Sequence, residues 1–195
     1  MEKLVTETDL FDTCADLVSV LCDIYKDWEG VRQFKGTPRR IAEMYQEFCW
    51  SPSKIEAEIA KQLHTFEDGY DEMLVTSPIT AFTLCPHHLL PVELKVRIGY
   101  VPSGRVLGLS KFVRLAEVMG KRPIMQEQYS SELADLLMER LKAKGVGVYV
   151  SGVHGCMVAR GVKQRVPVVT ACLRGCILSE ASSRAEFYSI VRGVE

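Results

Sequence analysis

Val92-Glu93-Leu94-Lys95-Val96-Arg97-Ile98 alternates apolar and charged residues without a break, and Pro102-Ser103-Gly104 ends the run with a turn signal. A period of two places the valines, leucine and isoleucine on one face and the charges on the other, which is the pattern of a half-buried β-strand. The run therefore predicts a strand from Val92 to Val101, and a second β-like stretch, Met73 to Leu84, precedes it. After the turn the period changes to that of helices, roughly 110–120 and 126–143, and Leu133, Leu136, Leu137 and Leu141 form an apolar stripe on the second. Two further strands are predicted at about 146–160 and 166–177, and a short helix from Ser183 to Val191 closes the chain. The C-terminal part thus reads as ββααββ, an α+β unit with both helices on one face of an antiparallel sheet.

Upstream, residues 6 to 66 are helical in pattern, with a first segment through Trp28, a second opening at Thr37-Pro38 and a third across Ile55 to Leu63. The division expected is an N-terminal helical region, 1–70, and the α+β domain, 71–195, in one continuous unit. With 195 residues, 47% of them hydrophobic and 25% charged, the chain is long enough for one substantial core. A formal charge of −1 excludes broad attraction to nucleic acid or anionic membrane. No apolar run is long enough to cross a bilayer, and the first residues lack a signal-peptide core. Seven scattered cysteines, an odd number, fit a reducing cytoplasm with free thiols and a metal site.

The metal expectation comes from two clusters, Cys85-Pro86-His87-His88 and His154-Gly155-Cys156. Zinc accepts Cys sulfur and His nitrogen. Four such ligands close a structural site, and three leave a position for water in a catalytic one. The spacing is not that of a zinc finger, so a structural zinc, a catalytic zinc and buried thiols without metal all stand at this point. If the strand over 146–160 stays regular, His154, Cys156 and Arg160 share a face, the first two with Cα atoms roughly 6.5 Å apart.

Cations stand where anions belong at two helix starts. Ser110 is placed to cap the helix that begins near residue 110, and Lys111 and Arg114 follow on one side of its first turn, where they oppose the helix dipole unless an anion joins them. At Thr37-Pro38-Arg39-Arg40, Thr37 is the expected N-cap, and Arg40 occupies the place where a capping box carries Glu or Gln. Gln126-Glu127 offers an amide and a carboxylate suited to a purine edge, although a dipeptide at a helix start also serves the dipole.

Taken in order, Thr-Pro-Arg-Arg-Ile-Ala-Glu-Met-Tyr, Cys-Pro-His-His-Leu-Leu-Pro, Gly-Leu-Ser-Lys, Gln-Glu, His-Gly-Cys-Met-Val-Ala-Arg-Gly and the closing Arg-Ala-Glu-Phe resemble the GTP cyclohydrolase I family from about Thr37 to Arg192. The resemblance implies the tunnelling fold, assembled as two stacked pentameric rings with active sites between subunits. It also implies hydrolysis of GTP at C8, release of formate and rearrangement to 7,8-dihydroneopterin triphosphate, at the head of a pterin, folate or deazapurine pathway. Carried to matching positions, it implies zinc on Cys85, His88 and Cys156, and His154 as proton donor with His87 assisting near the ribose. Ser110 is implied in the sugar rearrangement, Gln126 and Glu127 on the guanine edge, and Lys111, Arg114, Arg160 and Arg40 on the triphosphate. Related readings are an enzyme that stops at a ring-opened formamidopyrimidine, a metal-independent nitrile reductase of the same fold, and a non-catalytic nucleotide-binding ring. Two places depart from the family pattern. Pro86 replaces the usual Glu, and the stretch from Arg165 to Cys172 is rich in valine where the family has Ser and Thr.

Overall fold

The computed structural model describes residues 7–193 and divides into two compact units, one ending at Cys49 and the other beginning at Trp50. The first unit holds helix α1 (Glu7–Ile24), a 3-10 helix (Glu29–Gly36) and α2 (Thr37–Phe48). Helices α1 and α2 pack on each other. Cys14, Val18 and Ala42 are this unit's buried apolar residues among the described ones, while Leu17, Val20, Ile24 and Trp28 are exposed. Helix α2 starts one residue earlier than a Thr37 cap requires: Gly36 is the N-cap, and Thr37 Oγ1 instead accepts from Arg40 Nη2 at 3.1 Å.

The second unit begins with α3 (Pro52–Gln62), capped by Ser51, whose hydroxyl accepts from the Lys54 amide at 3.3 Å. Strands β1 (Thr65–Glu67), β2 (Leu74–Val75), β3 (Ile79–Leu84), β4 (Pro91–Val101) and β5 (Arg105–Leu107) follow. Next come α4 (Leu109–Met119), α5 (Gln126–Leu141), β6 (Gly145–His154), α6 (Gly155–Val158), β7 (Val168–Gly175), α7 (Cys176–Ser179) and α8 (Ala181–Gly193). The ββααββ order is as expected, and the sheet is antiparallel throughout, with β2 and β3 on β4, β4 on β6, and β6 on β7. A small sheet of β1 and β5, which the sequence pattern did not signal, stands apart from it.

The expected strand from Met73 to Leu84 is broken. Val75 pairs with Gly99 and Ile79 with Val96, a slip of one residue, and Pro78 in the gap has no amide hydrogen for the ladder. Thr76 bridges the gap: its amide donates to the Ile98 carbonyl at 2.9 Å and its hydroxyl accepts from the Ile98 amide at 3.0 Å.

Alternation in β4 does what the pattern predicts. Val92, Leu94, Val96, Ile98 and Tyr100 are all at most 1% exposed and form one core with Val146, Val148 and Val150 of β6. Burial at about 1.5–3 kcal/mol per side chain makes this row a main source of stability. Helices α4 and α5 cover it with Phe112, Leu115, Met119, Tyr129, Leu133 and Leu137, and α3 adds Ile55 and Ile59. The opposite face carries a smaller cluster centred on Phe187 of α8. Its ring sits over Gly99 and Gly147, which are cross-strand partners, and a Cβ on either would come within 2.6 or 2.7 Å of the ring. Those two glycines are therefore a seat for one aromatic side chain.

Candidate active site

Three chain ends meet where β3 and β6 finish. Leu84, the last residue of β3, bridges to Pro123 and accepts from the Ile124 amide at 3.1 Å, while Thr83 Oγ1 donates to the Arg122 carbonyl at 2.7 Å. These contacts dock the 122–124 segment on β3 and bring the start of α5, Gln126-Glu127, to the same end of the sheet. The hairpin between β3 and β4 is built on Cys85. Its carbonyl accepts from the amides of His88 (3.3 Å) and Leu89 (2.8 Å), and its amide donates to the Leu90 carbonyl at 2.9 Å. Pro86 is exposed at the first bend of this turn, where a fixed φ suits the chain direction, and Leu89 closes it with φ of 52°.

Strand β6 stops at His154, not at residue 160 as the sequence suggested, and Gly155–Val158 is a helical turn. The reason lies in the partner strand. The ladder ends with the pair Val92 and His154, because beyond Pro91 the chain enters the Cys85 hairpin and no strand remains to pair with. Gly155 is pressed against that hairpin, since a Cβ there would lie 2.7 Å from the Pro91 carbonyl. Strand parity thus does not extend to Cys156 or Arg160.

The turn carries Cys156 to the Cys85 hairpin by another route. Ligand atoms of Cys85, His88 and Cys156 all lie within 4.8 Å of one another. His87 Nδ1 is 3.8 Å from Cys85 Sγ, and Arg160 Nη1 contacts His88 Nε2. Burial, then the hydrogen bond and charge of Cys85, push the Cys156 thiol above its ordinary value, with Arg160 opposing. Two thiolates side by side repel, so the pair is suited to a shared cation. Two sulfurs and one imidazole match a borderline-soft divalent ion, and three protein ligands leave a coordination position for water.

His154 turns toward α5. Its Nε2 lies 2.9 Å from Gln126 Oε1, and the Gln126 side chain is only 2% exposed. The amide nitrogen of Gln126 reaches the carbonyls of Val168 (2.9 Å) and Val150 (3.2 Å) and Thr170 Oγ1 (3.2 Å). Ser130 Oγ joins Thr170 Oγ1 at 3.2 Å and donates to the Gln126 carbonyl at 2.9 Å. Burial lowers the His154 pKa, and the negative charge of Glu127 works against that shift. Glu127 itself is exposed. The purine-edge expectation for Gln126 thus meets an amide already engaged inside the fold. Gly152, Ser130 and Thr170 were not singled out from the sequence. A lone glycine in a β-branched run was the available signal, because it marks close approach of another group, and here a Cβ would lie 2.2 Å from Gln126 Oε1.

The cationic residues are not all at this place. Cavity-lining contacts put Leu109, Phe112 and Val113 of α4 beside residues 74–80, in a cavity of about 450 Å³, whereas Gly120 after α4 abuts the Phe82 carbonyl. Helix α4 therefore runs along β3 from its start toward the end that carries the Cys85 hairpin. Its 11 residues span about 16 Å, so Ser110 and Lys111, in its first turn, stand at the end of α4 far from the Cys85 hairpin of the same chain. Gly108 is the N-cap of α4, so Ser110 is inside the first turn and not the cap, and Lys111 Nζ donates to Gln62 Oε1 at 3.2 Å. Ser110 and Arg114 are exposed, and Arg40 belongs to the first unit.

A family model described as GTP cyclohydrolase I matches residues 17–192. GTP cyclohydrolase 1 of Dehalococcoides mccartyi is 40% identical over 169 residues, 85% of this chain and 87% of that protein. The Aquifex aeolicus protein of the same name is 40% identical over 171 residues, covering 86% and 88%. Among solved structures, an archaeosine synthase QueF-like protein in the apo form aligns with 56% of this chain and 97% of its own at 19% identity and a TM-score of 0.45, a likeness too slight to bear on function.

Proposed function

The chain belongs to the GTP cyclohydrolase I family, and from that premise we propose that it hydrolyses GTP at C8 with zinc, releases formate and rearranges the product to 7,8-dihydroneopterin triphosphate. The observation that carries this reading is the convergence of Cys85, His88 and Cys156 from two distant segments, with His87 against Cys85 and His154 two residues before Cys156 as surplus imidazoles. Cys85, His88 and Cys156 would hold the zinc, which supplies a Lewis acid and the water nucleophile for C8. His154 then exchanges protons with the purine as its imidazole ring opens, and His87, exposed on the hairpin, serves the ribose end. Glu127, exposed at the start of α5, accepts from the guanine edge.

Ser110 is assigned to the sugar rearrangement, and Lys111, Arg114, Arg160 and Arg40 to the triphosphate. The cations in the first turn of α4 oppose the helix dipole, and a triphosphate there removes that conflict. Because Ser110 and Lys111 lie at the end of α4 far from the Cys85 hairpin of their own chain, the reading places the site between subunits, completed by a second copy. The thin core of the first unit, with Leu17, Val20 and Ile24 exposed, supports assembly into a ring oligomer, for which a decamer is the proposal. The pathway proposed is pterin, folate or deazapurine synthesis in the cytoplasm.

The test is direct. Zinc-loaded protein incubated with GTP should release formate, and oxidation and dephosphorylation of the product should yield neopterin fluorescence. Activity should vanish on chelation and return with zinc. A ring-opened formamidopyrimidine without pterin would restrict the reaction to its first step, and neither formate nor ring opening would refute the reading.

A further inference from the structure

We propose that Gln126 is a positioning residue that locks His154 as the Nε2–H tautomer, so that Nδ1 is the atom through which His154 exchanges its proton. The inference rests on the role given to His154 above, but its geometry stands apart from that role. An amide side chain has a donor end and an acceptor end, and its neighbours decide which way it points. One end of Gln126 faces two backbone carbonyls, Val150 and Val168, which can only accept. The NH2 group must therefore be at that end, because a flipped amide would set its oxygen against both carbonyls in a site 2% exposed. Oε1 is then the end that faces His154, 2.9 Å from Nε2. An oxygen can only accept here, so Nε2 carries a hydrogen in both the neutral and the cationic ring. Turning the ring over would replace Nε2 by a carbon and leave the buried Oε1 without a donor.

The remaining nitrogen, Nδ1, has no hydrogen-bond partner among the described residues. In the reaction the imidazolium gives its Nδ1 proton to the purine nitrogen as the C–N bond breaks and that nitrogen keeps the bonding pair. Nδ1 then holds a lone pair and takes up the next proton, while Nε2–H stays on Gln126 throughout. The clamp is braced from below by Gly152, whose missing Cβ is the space the amide occupies, and from the side by Thr170 and Ser130. Thr170 is the hydroxyl that remains in the valine-rich stretch. Gln126 thus works through His154 and is not in contact with the guanine edge, which falls to Glu127.

Solid-state 15N NMR on zinc-loaded protein labelled at its four histidines reads the tautomer directly, with His154 assigned by its loss in His154→Ala. At alkaline pH His154 should be wholly Nε2–H. An Nδ1–H signal or a mixture of tautomers overturns the proposal. Gln126→Met removes the acceptor at nearly constant size. It should lower kcat by about 10- to 100-fold with KM for GTP little changed, and mix the two tautomers. A raised KM with kcat intact would instead place Gln126 on the substrate and overturn the proposal. If that variant fails to fold, the wild-type tautomer alone decides. Protein that shows the Nε2–H tautomer but does not consume GTP refutes the functional reading and leaves the clamp standing.

Discussion

Gly152→Ala should be far more harmful than a methyl group on a strand normally is, and the harm should depend on Gln126. The added Cβ would lie 2.2 Å from Gln126 Oε1, 3.0 Å from its Cδ and 3.1 Å from Leu94 Cδ2. The amide must leave, and with it go the bonds to Val168, Val150, Thr170 and His154. Water has no easy access to a side chain 2% exposed, so the bonds are lost without replacement, although the two carbonyls also lie in the sheet ladder. A net loss of about three hydrogen bonds at roughly 1 kcal/mol each gives a cost of about 3 kcal/mol. Gln126→Ala loses the same bonds and should cost about as much, again roughly 3 kcal/mol. In the double variant the clash is gone apart from the Leu94 methyl, so the total should stay near 3–4 kcal/mol, a coupling of about 2–3 kcal/mol between neighbours. Urea unfolding of the four proteins at one fixed protomer concentration measures it. Costs that add to within about 0.5 kcal/mol would show that Gly152 does not make room for Gln126 and refute the reasoning.

Other outcomes follow from separate parts of the molecule. Phe187→Ala empties the seat formed by Gly99 and Gly147 and should cost about 3–5 kcal/mol, with α8 losing hydrogen-exchange protection first. Cys85→Ala and Cys156→Ala should each lower bound zinc to well under one equivalent by metal analysis after dialysis, whereas Cys172→Ala, outside the cluster, should retain it. Pro86→Ala should lose at most about 1 kcal/mol and keep the metal, since the carbonyl and amide of Cys85 hold the hairpin. The hydrogen bond from Arg174, 2.6 Å from Asp135 Oδ1, holds the Asp135 pKa below its ordinary value, with Ser131 assisting. That contribution is complete above the unfolded carboxylate value near 3.9 and disappears as pH falls through the lower folded value. With Asp135 half exposed, wild type and Asp135→Asn should differ by no more than about 1 kcal/mol at neutral pH and converge in strong acid, as followed by denaturant titration.

Much of the fold was legible one residue at a time. Alternation along Val92–Ile98 predicted both the strand and its buried face, because a period of two is a local property of extended chain. The leucine stripe of α5 and the turn at Pro102-Ser103-Gly104 were local in the same sense. The cysteine and histidine clusters were legible as chemistry, since soft and borderline ligands in close sequence pairs have few other uses. Where a strand ends is not local. Val153 through Arg160 contains nothing that forbids strand, and only the departure of β4 into the Cys85 hairpin removes the partner that a longer β6 would need.

The sequence by itself therefore determined the ββααββ order, the buried rows and the set of groups able to hold a metal. Tertiary structure decided which of those groups meet. Cys156 reaches Cys85 and His88 through a helical turn and not through strand parity, and α4 carries Ser110 and Lys111 away from the Cys85 hairpin of their own chain. It also decided where the Gln126 side chain points. An amide beside a glutamate at a helix start reads as a binding pair, but the carbonyls of β6 and β7 and the gap over Gly152 turn it inward to His154. The physical reason is the same in each case. Hydrogen-bond partners and excluded volume come from strands distant in sequence, and no local pattern records them.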